Sequence, residues 1–202
     1  MRLLGDEAKG DEARGEKARG EIRLVWLVVL VVLAALVVLG NKQRNTLTTT
    51  LLFVGKTTDS HIEALCQDYL KRLTHYLPVK VQVIPELRNT KALTPEQQKQ
   101  AEGELILRAV TPSTELILLD EHGKEYRSVE FAQVMQKKMS AGRDVLFVIG
   151  GPYGFSQAVY ERANGKISLS QMTFSHQMVR LFLIEQIYRA MTILRGEPYH
   201  HE

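Results

Sequence analysis

Gly150-Gly151-Pro152-Tyr153-Gly154 follows the apolar run DVLFVI at 144–149 and leads to Ser156. Glycines so placed let the backbone approach a ligand closely and offer it amide donors, with Ser156 positioned to cap a following helix. The turn is neither a GxGxxG fingerprint nor a P-loop, because it lacks the Lys-Ser/Thr pair that holds a triphosphate. A tight strand-to-helix turn that binds nothing has the same pattern. Further on, ISLSQMTFS at 167–175 reads as a short strand running into a loop of small polar residues, which feeds a periodic segment from His176. There His176 and Arg180 lie four apart and share a helix face, and Glu185 and Arg189 are spaced to pair. The plain alternatives are a surface charge at Arg180, a solvated Glu185–Arg189 pair, and a frayed tail over Glu197-Pro198-Tyr199-His200-His201-Glu202. His200 and His201 have no acidic or cysteine partners at ligand spacing, so no metal site is expected. A single cysteine, Cys66, excludes a disulfide framework and suits a reducing compartment. With no base beside it, Cys66 reads as a small buried apolar residue.

Positioning these groups requires a scaffold, and the hydrophobic pattern supplies one. TTTLLFV at 48–54, closed by Gly55, reads as a buried strand, and 79–84 as a second. Between them Ile62, Leu65, Cys66, Tyr69, Leu70 and Leu73 recur at helical spacing over 60–75. Thr94, Pro95 and Gln97 form a capping-box start to a helix reaching about Ala109. Residues 114–119 read as a third strand, 120–126 as a polar turn around Gly123, and 144–149 as a fourth strand. A helix opens at Ser128 and stops near Gly142. The last helix runs from His176 to about Arg195, with an apolar stripe of Val179, Phe182, Leu183, Ile187, Ala190 and Met191 and a stop at Gly196. Strands alternating with helices, apolar without polar alternation, imply a parallel sheet covered on both faces. Ligands in such sheets bind beyond the carboxyl ends of the strands. That selects Leu119 to Gly123 and the glycine turn.

Composition narrows the partners. The 202 residues, 45% of them apolar, suit one or at most two globular domains. Residues 1–23 carry six basic and six acidic side chains in a GDEAK-like repeat, a charged low-complexity segment that cannot bury a core. Residues 24–39 are sixteen apolar residues without a charge, and 24–40 read as one apolar helix of about 24 Å, short of a hydrocarbon core of roughly 30 Å. It is either a membrane tether with Lys42 and Arg44 on the cytoplasmic side, or an extension with no part in the activity, and its marginal length favours the extension. A shorter product would need a non-AUG start, with Leu47 one candidate position. From residue 45 onward 18 basic side chains meet 17 acidic ones. A chain so nearly neutral does not grip long nucleic acid by phosphate neutralisation, so any nucleic-acid role rests on a local patch or a pre-formed target.

LLDEHGK, FVIGGPYGF, SLSQMTFSHQMVRLFLIEQIYRA and the terminal RGEPYHHE occur in that order. Together they resemble the ribosomal large subunit methyltransferase H (RlmH) family of the SPOUT superfamily, over residues 51–202, with 47–202 as the methyltransferase domain. The resemblance implies an α/β fold, a parallel sheet flanked by helices with a C-terminal trefoil knot, working as a homodimer with S-adenosylmethionine bound in the knot. Periodicity alone would never suggest a knot, because true knots are rare. It also implies methylation of N3 of a pseudouridine in helix 69 (position 1915) of 23S ribosomal RNA within the assembled ribosome. Carried onto this chain, the cofactor positions are Leu119, Gly151, Ser170, Gln171, Met172, Thr173, Phe174 and Ser175. Ser175 stands where proline is common, which removes a stiffening constraint. His176, Arg180, Tyr199 and His200 are then the candidates for holding the nucleotide, with His200 a candidate base. The expected location is the cytoplasm, with a membrane contact only through residues 24–40. Two other readings stand beside this one: a membrane-tethered nucleotide-binding module without enzymatic activity, and a SPOUT enzyme with a different RNA target.

Overall fold

Apolar runs without polar alternation make strands that must be covered on both sides, and here they assemble into one five-stranded parallel sheet of order β2-β1-β4-β3-β5. The computed structural model describes residues 48–87 and 92–201. The segments read as 1–23 and 24–40 lie outside the described residues. The strands are β1 (Thr49–Val54), β2 (Val79–Ile84), β3 (Glu115–Lys124), β4 (Val145–Ile149) and β5 (Gly165–Ile167). The helices are α1 (Ser60–Leu73), α2 (Pro95–Arg108), α3 (Ser128–Ala141), α4 (Gln157–Arg162) and α5 (His176–Leu194).

Successive side chains of each strand point to opposite faces, and the two faces build two cores. Leu51, Phe53, Ile117, Val145 and Phe147 pack with Cys66, Phe131, Met135, Leu183 and Ile187, so α1, α3 and α5 cover one face. Leu52, Leu116, Leu118, Leu146 and Val148 pack with Ile106 and Val159, so α2 and α4 cover the other. Local chemistry starts the helices. Asp59 accepts hydrogen bonds from the amides of His61 and Ile62 at 2.9 and 3.0 Å. Thr94 and Gln97 form the expected reciprocal capping box. Gly142, with φ of 66°, ends α3 in the left-handed conformation.

Four expectations need correction. The polar segment 120–126 is not a free turn: β3 continues through Lys124, and after an irregularity Lys124 pairs with Ile167. The amide of Ser168 donates to the Lys124 carbonyl at 3.1 Å. Gly123 permits this, because a Cβ there would lie 2.6 Å from the backbone nitrogens of Ile167 and Ser168. The short strand near 167 begins earlier, at Gly165, and ends at Ile167; residues 168–175 are all loop. Ser156 precedes α4 as expected but makes no side-chain cap, and its buried Oγ lacks a hydrogen-bond partner among the described residues. The first helix stops at Leu73 rather than at residue 75, because Thr74 Oγ1 donates to the Lys71 carbonyl and the amides of Tyr76 and Leu77 close a turn on Leu73.

Gly123→Ala is expected to cost about 2 to 3 kcal/mol by overpacking, read as a lowered urea midpoint. Burial raises the Cys66 thiol to about 11, so it stays protonated at pH 8. Folded protein at that pH should therefore leave Cys66 unmodified by a thiol-specific disulfide reagent that labels it rapidly in denaturant.

Candidate active site

Three connections leave the carboxyl ends of β3, β4 and β5 and enclose a cleft of about 480 Å³. The β3 extension contributes Leu119, Asp120, Glu121 and His122. The glycine turn after β4 contributes Gly150 to Phe155, and the loop after β5 contributes Ser170, Met172, Thr173 and Phe174. His176 and Val179, from the first turn of α5, close the wall.

Each loop is shaped by local bonds. In the glycine turn Gly154 has φ of 80°, and its amide donates to the Gly151 carbonyl at 3.2 Å. A side chain at 154 would be strained whatever space it found. Gly150 lies against the ring of Phe155, where an added Cβ would come to 3.0 Å from the ring edge. In the loop after β5, Ser168 Oγ donates to the Ser170 carbonyl at 2.8 Å, and Ser170 Oγ accepts from the Met172 amide at 3.0 Å. Ser175 Oγ accepts from the Met178 amide at 3.2 Å and caps α5. A serine there thus supplies a cap that proline could not.

The charge of the cleft selects its ligands. Among the residues that line it, Asp120 and Glu121 are acidic and none is Lys or Arg. Asp120 is held firmly: Tyr160 Oη donates to its Oδ2 at 2.5 Å, and the His122 amide to its Oδ1 at 2.8 Å. Burial and the neighbouring Asp120 carboxylate push the Tyr160 hydroxyl well above its ordinary range. A polyphosphate would meet two carboxylates and no cation here, an unfavourable pairing at any dielectric. A ligand that carries positive charge, with hydrogen-bonding edges for loop backbone to read, fits the donor set. Tyr153 and Met172, 51% and 70% exposed, rim the opening with apolar surface.

Of the residues singled out from the sequence, Leu119, Gly151, Ser170, Met172, Thr173, Phe174 and His176 line the cleft. Gln171 is exposed in the same loop, and Ser175 caps the helix. Arg180 is no surface charge: it is 1% exposed and faces the end of β1, where its guanidinium donates to the Val54 carbonyl at 2.8 Å and to Thr57 Oγ1 at 3.0 Å. Asp120 falls within the strand end selected at 119–123, though not as a named site residue, whereas Tyr160 had no signal in the sequence.

The C-terminal tail is anchored rather than frayed. Tyr199 Oη donates to Glu185 Oε1 at 3.0 Å and lies 3.1 Å from the Tyr69 hydroxyl. The Arg189 guanidinium also binds Glu185, at 2.6 Å, and stacks 4.8 Å from the centre of the Tyr199 ring. Tyr76 Oη donates to Glu197 at 2.5 Å, and Arg195 lies over the Tyr76 ring. This anchorage centres on Glu185, nine residues beyond His176 and so about 14 Å along the helix axis. Tyr199 and His200 do not line the cleft of their own chain. Glu185→Ala removes the acceptor shared by Arg189 and Tyr199; it should cost about 1.5 to 3 kcal/mol and speed carboxypeptidase trimming of the tail.

Comparison with known proteins places the chain in a family. The family described as predicted SPOUT methyltransferase matches residues 47–200. The ribosomal RNA large subunit methyltransferase H of Bacteroides fragilis is 59% identical over 155 residues, covering 76% of this chain and 99% of its own. The protein of that name from Flavobacterium psychrophilum is 56% identical over 153 residues, covering 75% and 98%. Among solved structures, the SpoU methyltransferase AviRb of Streptomyces viridochromogenes, in complex with AdoMet, matches at TM-score 0.38 and 16% identity over 73% of this chain and 58% of its own. The family match over most of the chain and the near-complete coverage of these relatives make the chain a member of the ribosomal RNA large subunit methyltransferase H family of SPOUT methyltransferases.

Proposed function

We propose that this enzyme transfers the methyl group of S-adenosylmethionine to N3 of a pseudouridine in helix 69 of the large-subunit ribosomal RNA, acting on the assembled ribosome in the cytoplasm. The observation that carries this reading is the cleft, walled by the β3 extension, the glycine turn and the loop after β5, with two carboxylates and no Lys or Arg among its lining residues. Such a lining suits a sulfonium cofactor and disfavours ATP or NAD. When bound, the cofactor supplies an electrophilic methyl group.

The chain's own residues have three tasks. Backbone groups at Leu119, Gly151 and the loop after β5 hold the adenine edge and the methionine portion, and positioning accounts for much of the rate. N3 of the nucleotide must lose its proton as it forms a bond to the methyl carbon, while the electron pair of the broken C–S bond returns to sulfur. His176 on the cleft wall and His200 in the tail are the candidates to orient the base and take that proton. Arg180, fixed to the end of β1, holds the first turns of α5 beside the loop that presents His176.

Tyr199 and His200 do not line the cleft of their own chain, and Tyr199 is anchored about 14 Å along α5 from His176. A homodimer in which one protomer's tail meets its partner's cleft brings the two sets together. The trefoil knot belongs to the same reading, and the close approach of Gly123 to the backbone of Ile167 and Ser168, beside the parallel pairing of Lys124 with Ile167, is compatible with it.

Calorimetry should detect S-adenosylmethionine binding and none of ATP or NAD. His200→Ala and His176→Ala are each expected to lower kcat/KM on ribosomes by at least about tenfold. Mixing His200→Ala with His176→Ala should restore part of the activity, through dimers carrying one intact site. Mass mapping of helix 69 from cells lacking the gene tests the target. Persistence of the methylated pseudouridine would overturn it and favour a different RNA.

A further inference from the structure

Glu102 lies in the middle of α2, on the face of the sheet away from α5, and is 4% exposed. Buried carboxylates are costly without compensation, and this one receives a hydrogen bond from Gln98 Nε2 at 2.8 Å. Burial holds its carboxyl above the ordinary carboxylate range. It does not line the cleft, and nothing in the methyl transfer uses it. Its neighbour is the glycine turn. A Cβ built on Gly151 would fall on Glu102 Oε2, with Cδ and Oε1 each 3.0 Å away. The adjacent Gly103 meets the start of α4, since a Cβ there would fall on Ser156 Oγ and come to 3.2 Å from Val159. Two consecutive residues of α2 therefore pack against the turn and the helix that follows it. Gly151 has no positive φ. A side chain there would meet the buried Glu102 carboxyl group and no backbone constraint.

We propose that Glu102 is a positioning residue for the cofactor cleft, its buried carboxyl group forming the floor on which Gly151 rests and so setting the height of the glycine turn in the cleft wall. The inference rests on the reading that S-adenosylmethionine occupies this cleft. It acts by shape and hydrogen bonding, so Gln replaces Glu while Ala does not.

A double-mutant cycle on the full chain, read by calorimetry with S-adenosylmethionine, tests it. Gly151→Ala drives a methyl into the carboxyl group and should raise Kd at least about tenfold, and Glu102→Ala about fivefold by loosening the turn. Glu102→Gln should bind within about twofold of the parent protein, and Glu102→Ala/Gly151→Ala should regain most of the affinity lost in Gly151→Ala, whereas Glu102→Gln/Gly151→Ala should not. In steady state Glu102→Ala should raise KM for S-adenosylmethionine and leave KM for ribosomes unchanged, a split that general destabilisation would not give. Additive effects of Gly151→Ala and Glu102→Ala, or parent-like affinity in Glu102→Ala, would overturn the role of Glu102. Parent-like affinity in Gly151→Ala would instead overturn the placement of the cofactor against the turn.

Discussion

The site depends on one close approach of backbone to backbone, where Gly123 lies against Ile167 and Ser168. That contact lays the end of the β3 extension alongside Ile167 and Ser168, where the chain leaves β5 and turns into residues 168–175. Leu119 and Asp120 are thereby held on one side of the cleft and Ser170 to Phe174 on the other, both by main-chain bonds. A parallel sheet gathers its strand ends at one edge, but it leaves the loops beyond that edge free to diverge. Here the pairing of Lys124 with Ile167 and Ser168 ties two of them together, and the glycine turn between them lies close to Glu102 of α2.

The regular elements were largely legible because their signals are local. Burial of Leu51, Leu52, Phe53 and Val54 on both faces of the sheet follows from an apolar run, and Thr94 with Gln97 announces a helix start within four residues. The expectations that failed concern partners distant in sequence. Residues 120–124 have the polar, glycine-containing composition of a turn, yet they form strand because Ile167 and Ser168 lie beside them. Arg180 looks like a surface charge until the end of β1 supplies acceptors at Val54 and Thr57. The tail resembles a frayed end unless Tyr69, Tyr76 and Glu185 are seen to converge on it. The cleft residues themselves came from motif resemblance, since small polar loops carry little periodic information. The contact of Glu102 with Gly151 left no local trace at all.

Electrostatics divides the labour between ligands. The cleft lacks Lys and Arg, so it offers nothing to phosphate groups, and the chain from residue 45 onward is nearly neutral. An RNA substrate would then be held by geometry and by a few placed groups more than by a general basic field, which suits selection of one nucleotide on a folded particle over non-specific RNA binding.

The first turn of α5 is clamped to the end of β1 at two levels. Gln177 accepts from the amides of Thr58 and Asp59, each at 3.0 Å, and donates to Thr58 Oγ1 at 2.7 Å. One turn further along, Arg180 reaches Val54 and Thr57 from a fully packed position. The cleft wall formed by the start of α5 is thus tied to the segment that follows β1 by long-range bonds. The opposite wall, between Ser168 and Ser175, is shaped mainly by bonds between residues two or three apart. One ligand would therefore meet two kinds of surface, one fixed by the fold as a whole and one by a loop of about eight residues.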